Sequence, residues 1–309
     1  MKYLNGCTFA FMSRRGFTNR IDWRESLLKM RQSTLCDTVV LAVAAMQDTE
    51  KSTQVQYYTD DVMSTEDIVQ VIREAKCIGL KVLVKAMVNC RNGLWRANIK
   101  FESEAEWESW FASYDHFVCD LAKTAAEEQA DMFCIGCEMI GTDSRENEWR
   151  KLISSVKSIY SGPVTYNCDK WQEDKILWWD AVDAISSSGY YPIHEIKENF
   201  ARIRNVTEKF NRPFFFMESG CPSREGSENT PYDWTYGGEL SLSAQQKWYE
   251  AFCNELLANP WVRGSVWWDW PARLYPIEKA ENPGYCMYGK PVEKVLQDYS
   301  KTVAERENG

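Results

Sequence analysis

The chain has 309 residues, of which 26% are charged and 44% hydrophobic, with only 16 glycines and 10 prolines. This composition is typical of a folded globular protein and excludes disordered, collagenous and membrane-spanning classes. The 45 acidic residues outnumber the 36 basic ones and give a net charge of −9, so we expect no nucleic-acid partner, because phosphates need a basic face. Fourteen tryptophans, and eleven cysteines against two histidines, are the unusual features.

Short apolar or β-branched runs alternate with amphipathic helical patterns along the whole chain. Eight of these runs predict strands: Cys7–Met12, Thr38–Ala45, Lys81–Val88, Met132–Glu138, Val164–Asn167, Val182–Ser188, Pro213–Ser219 and Arg263–Trp268. About eight helices are predicted between and after them: Ile21–Arg31, Thr65–Cys77 after the N-cap Ser64, one from Ser103 to about Glu128, Glu146–Ile159, Trp171–Ile176, Ile193–Phe210, one from Ser243 to about Leu257, and Pro291–Thr302. The helices at Ser103 and Ser243 each open on a capping-box pattern.

This alternation, without any linker-like stretch, predicts an α/β protein in which residues 1–309 form a single (β/α)8 TIM barrel. An open doubly wound sheet is the alternative. A dinucleotide-binding glycine fingerprint, a P-loop and a G-x-S-x-G motif are all missing from the sequence, which disfavours nucleotide-binding, NAD-dependent and serine-hydrolase functions.

The N-terminal segment, MKYLNGCTFAFMSRRGF, has too short an apolar run for a secretory signal, and no run is long enough for a membrane span. We therefore expect a cytoplasmic protein that has no membrane partner. In a reducing compartment most cysteines should be buried thiols. Cys134 and Cys137 form a C-x-x-C pair, but within a strand they are expected to face opposite sides, which disfavours a redox or zinc motif.

Two glutamates end otherwise apolar strands, and such acids are costly unless they face a polar cleft. Glu138 closes the fourth predicted strand and Glu218 closes the seventh, at the barrel end where catalytic groups lie. Strand alternation predicts that both point inward, with Glu138 on the face of Cys134 and Glu218 on the face of Phe214 and Phe216. Two carboxylates about 5–5.5 Å apart are what retaining glycoside hydrolysis requires.

Aromatic and polar side chains near the same strand ends complete the predicted sugar site. Alternation places Trp268 and Trp270 on one face of the eighth strand, where flat rings can stack on a pyranose. The Tyr190 hydroxyl can hydrogen-bond the nucleophile. Further candidates for substrate contact are Asn167, Lys85 and Trp171.

These residues resemble clan A glycoside hydrolases, and within that clan the chain is most similar to glycoside hydrolase family 113, whose members are largely β-1,4-mannanases. The resemblance covers nearly the whole chain and includes GCTFAFMSRRGF, LKVLVKAMVN, LWRANI, CIGCEMIGT, PVTYNCDKW, SGYYPI, FFFMESG, VWWDW and YGKPVEKVL. It implies that Glu138 is the acid/base, that Glu218 is the nucleophile with Tyr190 as its partner, and that a strand-eight tryptophan lies under the sugar.

Two departures from the family pattern lie close to the expected sugar. Cys137 stands where many clan members have an asparagine that contacts the 2-hydroxyl, and Lys85-Ala86-Met87 replaces Lys-Pro-His. A thiol is a poor hydrogen-bond donor, so recognition of that hydroxyl is expected to pass to another residue, such as Asn167.

The sequence thus predicts a retaining β-glycosidase that acts on β-1,4-linked mannan or manno-oligosaccharides and needs no metal or cofactor. The alternatives are the same chemistry on xylo- or gluco-oligosaccharides, and a non-catalytic carbohydrate-binding barrel. A metal-dependent hydrolase is disfavoured, because such enzymes usually draw on histidine ligands and this chain offers only His116 and His194.

Overall fold

The computed structural model describes residues 1–235 and 237–308. Eight parallel strands pair in chain order and close into a barrel, because the last strand pairs with both the seventh and the first. The predicted TIM barrel is therefore confirmed, and the open sheet is excluded. The strands are β1 (Leu4–Phe9), β2 (Thr38–Gln47), β3 (Lys81–Cys90), β4 (Met132–Cys137), β5 (Val164–Cys168), β6 (Ala184–Ser188), β7 (Phe214–Ser219) and β8 (Val262–Trp270).

Seven α-helices of the described residues surround this barrel. They are α1 (Trp23–Thr34), α2 (Thr65–Cys77), α3 (Glu104–Glu127), α4 (Glu146–Ile159), α5 (Ile196–Phe210), α6 (Leu242–Ala258) and α7 (Val292–Asn308). The predicted capping box at Ser103 and Glu106 is confirmed, since the serine side chain accepts from the Glu106 N–H while the Glu106 carboxylate accepts from the serine N–H. None of the helices among the described residues is both long and apolar enough to cross a membrane.

Several predicted element bounds differ from the structure, and three differences are the most informative. The β5–β6 connection has a 3-10 turn at Trp179–Ala181 and no helix at Trp171–Ile176, because Trp171 takes a φ of 63°, which an α-helix does not accept. Helix α6 is capped by Ser241, whose hydroxyl accepts from the Ala244 N–H, so the cap lies two residues before Ser243. Strand β1 begins and ends three residues earlier than predicted.

Most of the many aromatic residues pack in the core between the strands and the helices. Trp110 stacks on Tyr114 with ring centroids 4.9 Å apart, and Trp248 stacks on Phe252 at 4.8 Å. The barrel interior is a separate and smaller cluster, formed by Leu4, Val40, Leu83, Met132, Cys134, Ala184, Phe215, Met217 and Val266. Trp107, Trp110 and Trp248 are all buried in the larger cluster between strands and helices.

The cysteines largely follow their prediction. All eleven are free thiols and eight of them are buried. Burial is the largest influence on most of these thiols and raises the pKa of Cys134 to about 11. The buried thiols therefore pack as small hydrophobic groups.

Three strands carry a register shift at their carboxyl ends, and these shifts position the site. Along β4, Cys134 pairs with Thr165 and Cys137 with Asn167, so three steps on one strand match two on the other. Similar shifts occur in β7 before Glu218 and between β1 and β8 at Trp267 and Trp270. An inserted residue reverses which face the following side chains occupy. Simple alternation therefore fails just where the candidate residues lie.

Candidate active site

A cleft of about 820 Å³ opens at the carboxyl ends of the strands. This is the end at which TIM barrels place their active sites, and the volume suits an oligosaccharide segment. Both candidate glutamates line it, together with aromatic and polar side chains from the loops after β1, β3, β5, β6, β7 and β8. The principal lining residues are Phe11, Asn89, Trp95, Arg96, Glu138, Lys170, Tyr190, Glu218, Tyr232, Trp234, Trp268, Asp269 and Tyr285.

Glu218 is buried and accepts from three different donors. Its Oε1 is bonded to the Lys85 ammonium and to the Cys137 thiol, whose Sγ lies 3.3 Å away. Its Oε2 accepts from the Tyr190 hydroxyl at 3.0 Å. Burial by itself raises the pKa of this carboxyl, but the Lys85 charge and hydrogen bond outweigh it and hold the pKa below its usual range. Glu218 is therefore kept ionised inside the protein.

Glu138 follows β4 in the left-handed region, with φ at 53°. Its Oε2 accepts from Arg96 Nη1 at 2.9 Å and its Oε1 accepts from the Ser188 hydroxyl at 2.6 Å. The Glu138 N–H donates to the Asn167 carbonyl at 2.8 Å. A non-glycine residue in this region is strained by about 1–3 kcal/mol, so neighbouring contacts must hold it there.

Arg96 is the principal site residue that sequence reasoning missed. Besides Glu138, its guanidinium donates to the Val88 carbonyl and to Asn89 Oδ1, each at 3.0 Å. It lies in a 3-10 turn (Arg96–Asn98) of the loop after β3, where no strand or helix pattern indicates its direction. The one available signal was the LWRANI motif, in which the arginine is the only charged residue.

A second hydrogen-bonded chain supports Glu138 from behind. The N–H of Met139, the next residue, donates to the Tyr166 hydroxyl at 3.1 Å, and that hydroxyl donates to Asp143 Oδ1 at 2.5 Å. Burial raises the pKa of Asp143 to about 7, partly offset by the Tyr166 hydrogen bond. Tyr166 therefore ties the backbone after Glu138 to a buried carboxyl group.

The two glutamates face each other closely. One carboxylate oxygen from each glutamate and the Cys137 Sγ lie within 4.8 Å of one another. Such a trio could hold a metal ion, but the Lys85 and Arg96 cations already bind both carboxylates and would repel one. The short separation fits the spacing of about 5–5.5 Å in retaining enzymes better than the 6.5–9.5 Å of inverting ones.

Several predictions made from strand alternation are wrong. Phe214 and Phe216 pack among the helices, whereas Glu218 enters the cleft through the register shift and does not share their face. Cys134 and Cys137 were expected on opposite faces, yet Cys134 lies in the barrel interior and Cys137 contacts Glu218. The C-x-x-C pair still lies away from both histidines in sequence.

Of the two tryptophans predicted to contact the sugar, Trp268 lies at the cleft and Trp270 does not. Trp268 lines the cleft, with its ring edge-on to Phe11 at 4.7 Å and under the Lys85 ammonium at 5.6 Å. Trp270 is fully buried, and its indole N–H donates to the Ser26 carbonyl at 3.1 Å, so it has no access to a sugar. The register shift between β1 and β8 turns Trp268 and Asp269 inward, and a cis peptide bond joins these two residues.

The remaining candidates divide in the same way. Lys85 and Asn167 are fully buried beside the glutamates, and Asn167 Nδ2 donates to the Ser188 hydroxyl at 3.0 Å. Its Oδ1 has no hydrogen-bond partner among residues 1–235 and 237–308. Trp171 does not line the cleft; it packs against Tyr232, with ring centroids 5.5 Å apart. The geometry therefore does not support the predicted direct contact between Trp171 and substrate.

A closed barrel in which two buried glutamates face each other across a cleft is the arrangement of the barrel glycoside hydrolases. The model of Glycoside Hydrolase Family 113 matches residues 7–290. The chain belongs to this family and is a glycoside hydrolase. The resemblance predicted from the motifs is thereby confirmed.

Solved structures agree with this assignment. A family 113 β-1,4-mannanase is 40% identical, covers 98% of this chain and 100% of its own, and superposes with a TM-score of 0.95. The family 113 β-mannanase AaManA from Alicyclobacillus acidocaldarius, in complex with ManMIm, is 37% identical over 98% of both chains, with a TM-score of 0.94.

More distant matches and curated sequences add little. Ruminococcus gnavus β-glucuronidase is 15% identical, covers 97% of this chain and 50% of its own, and has a TM-score of 0.66, so it shares the fold alone. A comparison with curated protein sequences found no match.

Proposed function

We propose that this protein is a cytoplasmic retaining β-glycosidase that cleaves β-1,4-linked mannan or manno-oligosaccharides within one catalytic domain, residues 1–309, without metal or cofactor. Glu218 is the nucleophile and Glu138 the acid/base. The observation that carries this proposal is the pair of buried glutamates in one cleft, which have carboxylate oxygens within 4.8 Å of each other. Glu218 accepts hydrogen bonds from Lys85 and Tyr190, and Glu138 accepts from Arg96 and Ser188.

The first step is attack by a Glu218 carboxylate oxygen on the anomeric carbon, while Glu138 gives its proton to the departing glycosidic oxygen. Lys85 keeps the attacking carboxylate ionised and Tyr190 orients its second oxygen. Glu138, now ionised, then removes a proton from water. That water attacks the same carbon, the bond to Glu218 breaks, and both glutamates return to their starting states.

Sugar recognition rests on groups around these two acids. Trp268 offers a flat apolar face at the mouth of the cleft, and the unpartnered Oδ1 of Asn167 is an acceptor for a sugar hydroxyl. Two matched structures are described as a β-1,4-mannanase and a β-mannanase, and their 37–40% identity over nearly the full chain favours mannose over xylose or glucose as the substrate.

The test is to incubate the protein with β-linked oligosaccharides of mannose, xylose, glucose and galactose, and to follow products by size and by the NMR signal of the first anomer released. We expect cleavage of the manno series and initial release of the β-anomer. Preference for the xylo or gluco series would contradict the substrate, and an initial α-anomer would contradict retention. Sugar binding without turnover in every series would identify a non-catalytic carbohydrate-binding barrel.

Location is a separate test. Fractionation of the source cells is expected to find the protein with cytoplasmic markers, and recovery with secreted or membrane fractions would contradict that part of the proposal.

A further inference from the structure

Lys170 is a buried cation in the wall of the cleft whose role the two-glutamate mechanism does not explain. Only 7% of the residue is exposed, yet it lines the cavity. Its Nζ is surrounded by three aromatic rings, whose centroids lie 5.5 Å away for Trp95, 5.1 Å for Trp171 and 5.0 Å for Tyr232. Stacking against the faces of aromatic rings stabilises an ammonium group but accepts no conventional hydrogen bond from it.

The hydrogen bonding of Lys170 is incomplete. Among the described residues its acceptors are the two carboxylate oxygens of the neighbouring Asp169, at 3.2 and 3.4 Å. An ammonium group has three N–H donors, and a buried donor without an acceptor costs free energy. Lys170 therefore has donor capacity that a ligand in the cleft can use.

This cluster lies on the Glu138 side of the cleft. Trp95 directly precedes Arg96, whose guanidinium binds the Glu138 carboxylate. Lys170 follows Asn167 by three residues, and the Asn167 carbonyl accepts from the Glu138 N–H. Burial and the negative charge of Glu138 raise the pKa of Asp169, whereas the charge and hydrogen bond of Lys170 lower it and favour the ionised carboxylate. In contrast, Trp268 lies beside Lys85, which binds Glu218.

We infer that Lys170, Trp95 and Tyr232 form the binding site for the leaving-group sugar, in which the Lys170 ammonium donates to a hydroxyl of that sugar and the two rings contact its apolar face. The inference rests on the proposed roles of the two glutamates, because the leaving sugar occupies the side of the acid/base. A neutral, hydroxyl-rich sugar fits better than an acidic one, since Asp169 already balances the charge of Lys170.

The test compares Lys170→Met with the wild type on a manno-oligosaccharide, whose leaving group is a sugar, and on an activated aryl β-mannoside, whose leaving group is not. We expect kcat/KM to fall about tenfold more on the oligosaccharide than on the aryl mannoside, with a raised KM, because only the oligosaccharide loses a charge-assisted hydrogen bond to its leaving sugar. Lys175→Met is the matched control, since Lys175 is an exposed lysine of the same loop, bonded to Gln172.

A second measurement uses the glycosyl-enzyme itself. With the aryl mannoside as donor and mannobiose as acceptor, Lys170→Met is expected to lower the ratio of transfer product to hydrolysis product, since the acceptor enters through the same site. Trp95→Leu keeps the ion pair with Asp169 and is expected to lower that ratio in the same direction, which covers the case in which Lys170→Met fails to fold.

Equal losses on both substrates with an unchanged transfer ratio would overturn the inference. If the wild type cleaves no mannoside, the proposed substrate fails separately. The same comparison is then run on the oligosaccharide series that the wild type does cleave, and its outcome still decides the role of Lys170.

Discussion

The two sides of the cleft hold their glutamates in different ways. On one side, Glu218 ends a strand and is bonded directly to the ammonium of Lys85, which itself lies inside the barrel on β3. On the other side, Glu138 lies just past its strand with a positive φ, and its partners are the Arg96 guanidinium and the Ser188 hydroxyl. Both acids are buried.

The difference shows how one cleft can give two glutamates different chemical roles. The charge and hydrogen bond of Lys85 hold the pKa of Glu218 below its usual range, so this carboxylate stays ionised, as a nucleophile must. A residue held at a strained backbone position by surrounding hydrogen bonds is fixed in place, which suits a group that must meet one particular oxygen. Paired acids in contrasting environments are a recurrent basis for assigning acid and nucleophile roles.

The largest expected effect comes from removing the Lys85-bonded acid. Glu218→Ala should reduce turnover by several orders of magnitude on every substrate, because no covalent intermediate can form. Steady-state rates on an oligosaccharide and an aryl glycoside check this, with Glu108→Gln on the outer face of α3 as the control. Substantial residual hydrolysis on either substrate would show that the nucleophile lies elsewhere.

Removing the other acid should separate the substrates. Glu138→Ala is expected to cost about 10²–10⁴-fold on oligosaccharides, the usual contribution of general acid–base catalysis, and much less for the first step on aryl glycosides with good leaving groups. Pre-steady-state bursts with a dinitrophenyl glycoside, with and without added azide, measure the first step. Equal losses on both substrates would contradict the acid/base role.

The Lys85 contact should set the acidic limb of the pH profile. Since Lys85 lowers the pKa of Glu218, Lys85→Met raises that pKa, and a higher pH is then needed to ionise the nucleophile. We expect the acidic limb of kcat/KM for an aryl glycoside to move toward higher pH. Lys81→Met is the control, because Lys81 begins the same strand and pairs with Asp37 at the opposite end of the barrel. An unshifted limb would contradict this electrostatic role.

The smallest expected effect concerns the support behind Glu138. Tyr166→Phe removes the acceptor for the Met139 N–H, a loss of about 1 kcal/mol, or roughly fivefold in rate. The loss should fall on oligosaccharides and spare activated aryl glycosides, since it acts through the acid step. Tyr160→Phe, which removes a buried hydroxyl bonded to the Ala130 carbonyl far from the cleft, is the control. A loss shared equally by both substrates would indicate a merely structural role.

Features that depend on neighbouring residues could be predicted from the sequence, whereas features that depend on contacts between distant segments could not. The capping box at Ser103 is a local pattern of hydrogen bonds, and it was predicted correctly. The helix predicted at Trp171 was wrong, because the connection between β5 and β6 holds Trp171 at a positive φ that local propensity does not encode. Arg96 was missed for a related reason, since only the folded barrel brings the loop after β3 to Glu138.

Trp268 and Trp270 show the same limit within a single strand. Their shared parity predicted a shared face, but parity holds only while the pairing advances one residue at a time on both strands. The extra residue on β8 relative to β1 sends Trp268 into the cleft and Trp270 against Ser26. Such register shifts depend on how neighbouring strands pair, so they cannot be predicted from the sequence of one strand.

By itself, the sequence determined the barrel, the two glutamates at the ends of β4 and β7, and the family, because alternating patterns and short motifs are properties of nearby residues. Apart from Tyr190, whose contact with Glu218 was predicted, only the tertiary structure decided which side chains meet those glutamates and which aromatic ring faces the cleft. Lys85 and Glu218 are 133 residues apart, and Arg96 and Glu138 are 42 apart. Such contacts exist because closure of the barrel brings distant strand ends together, with register shifts that turn particular side chains inward.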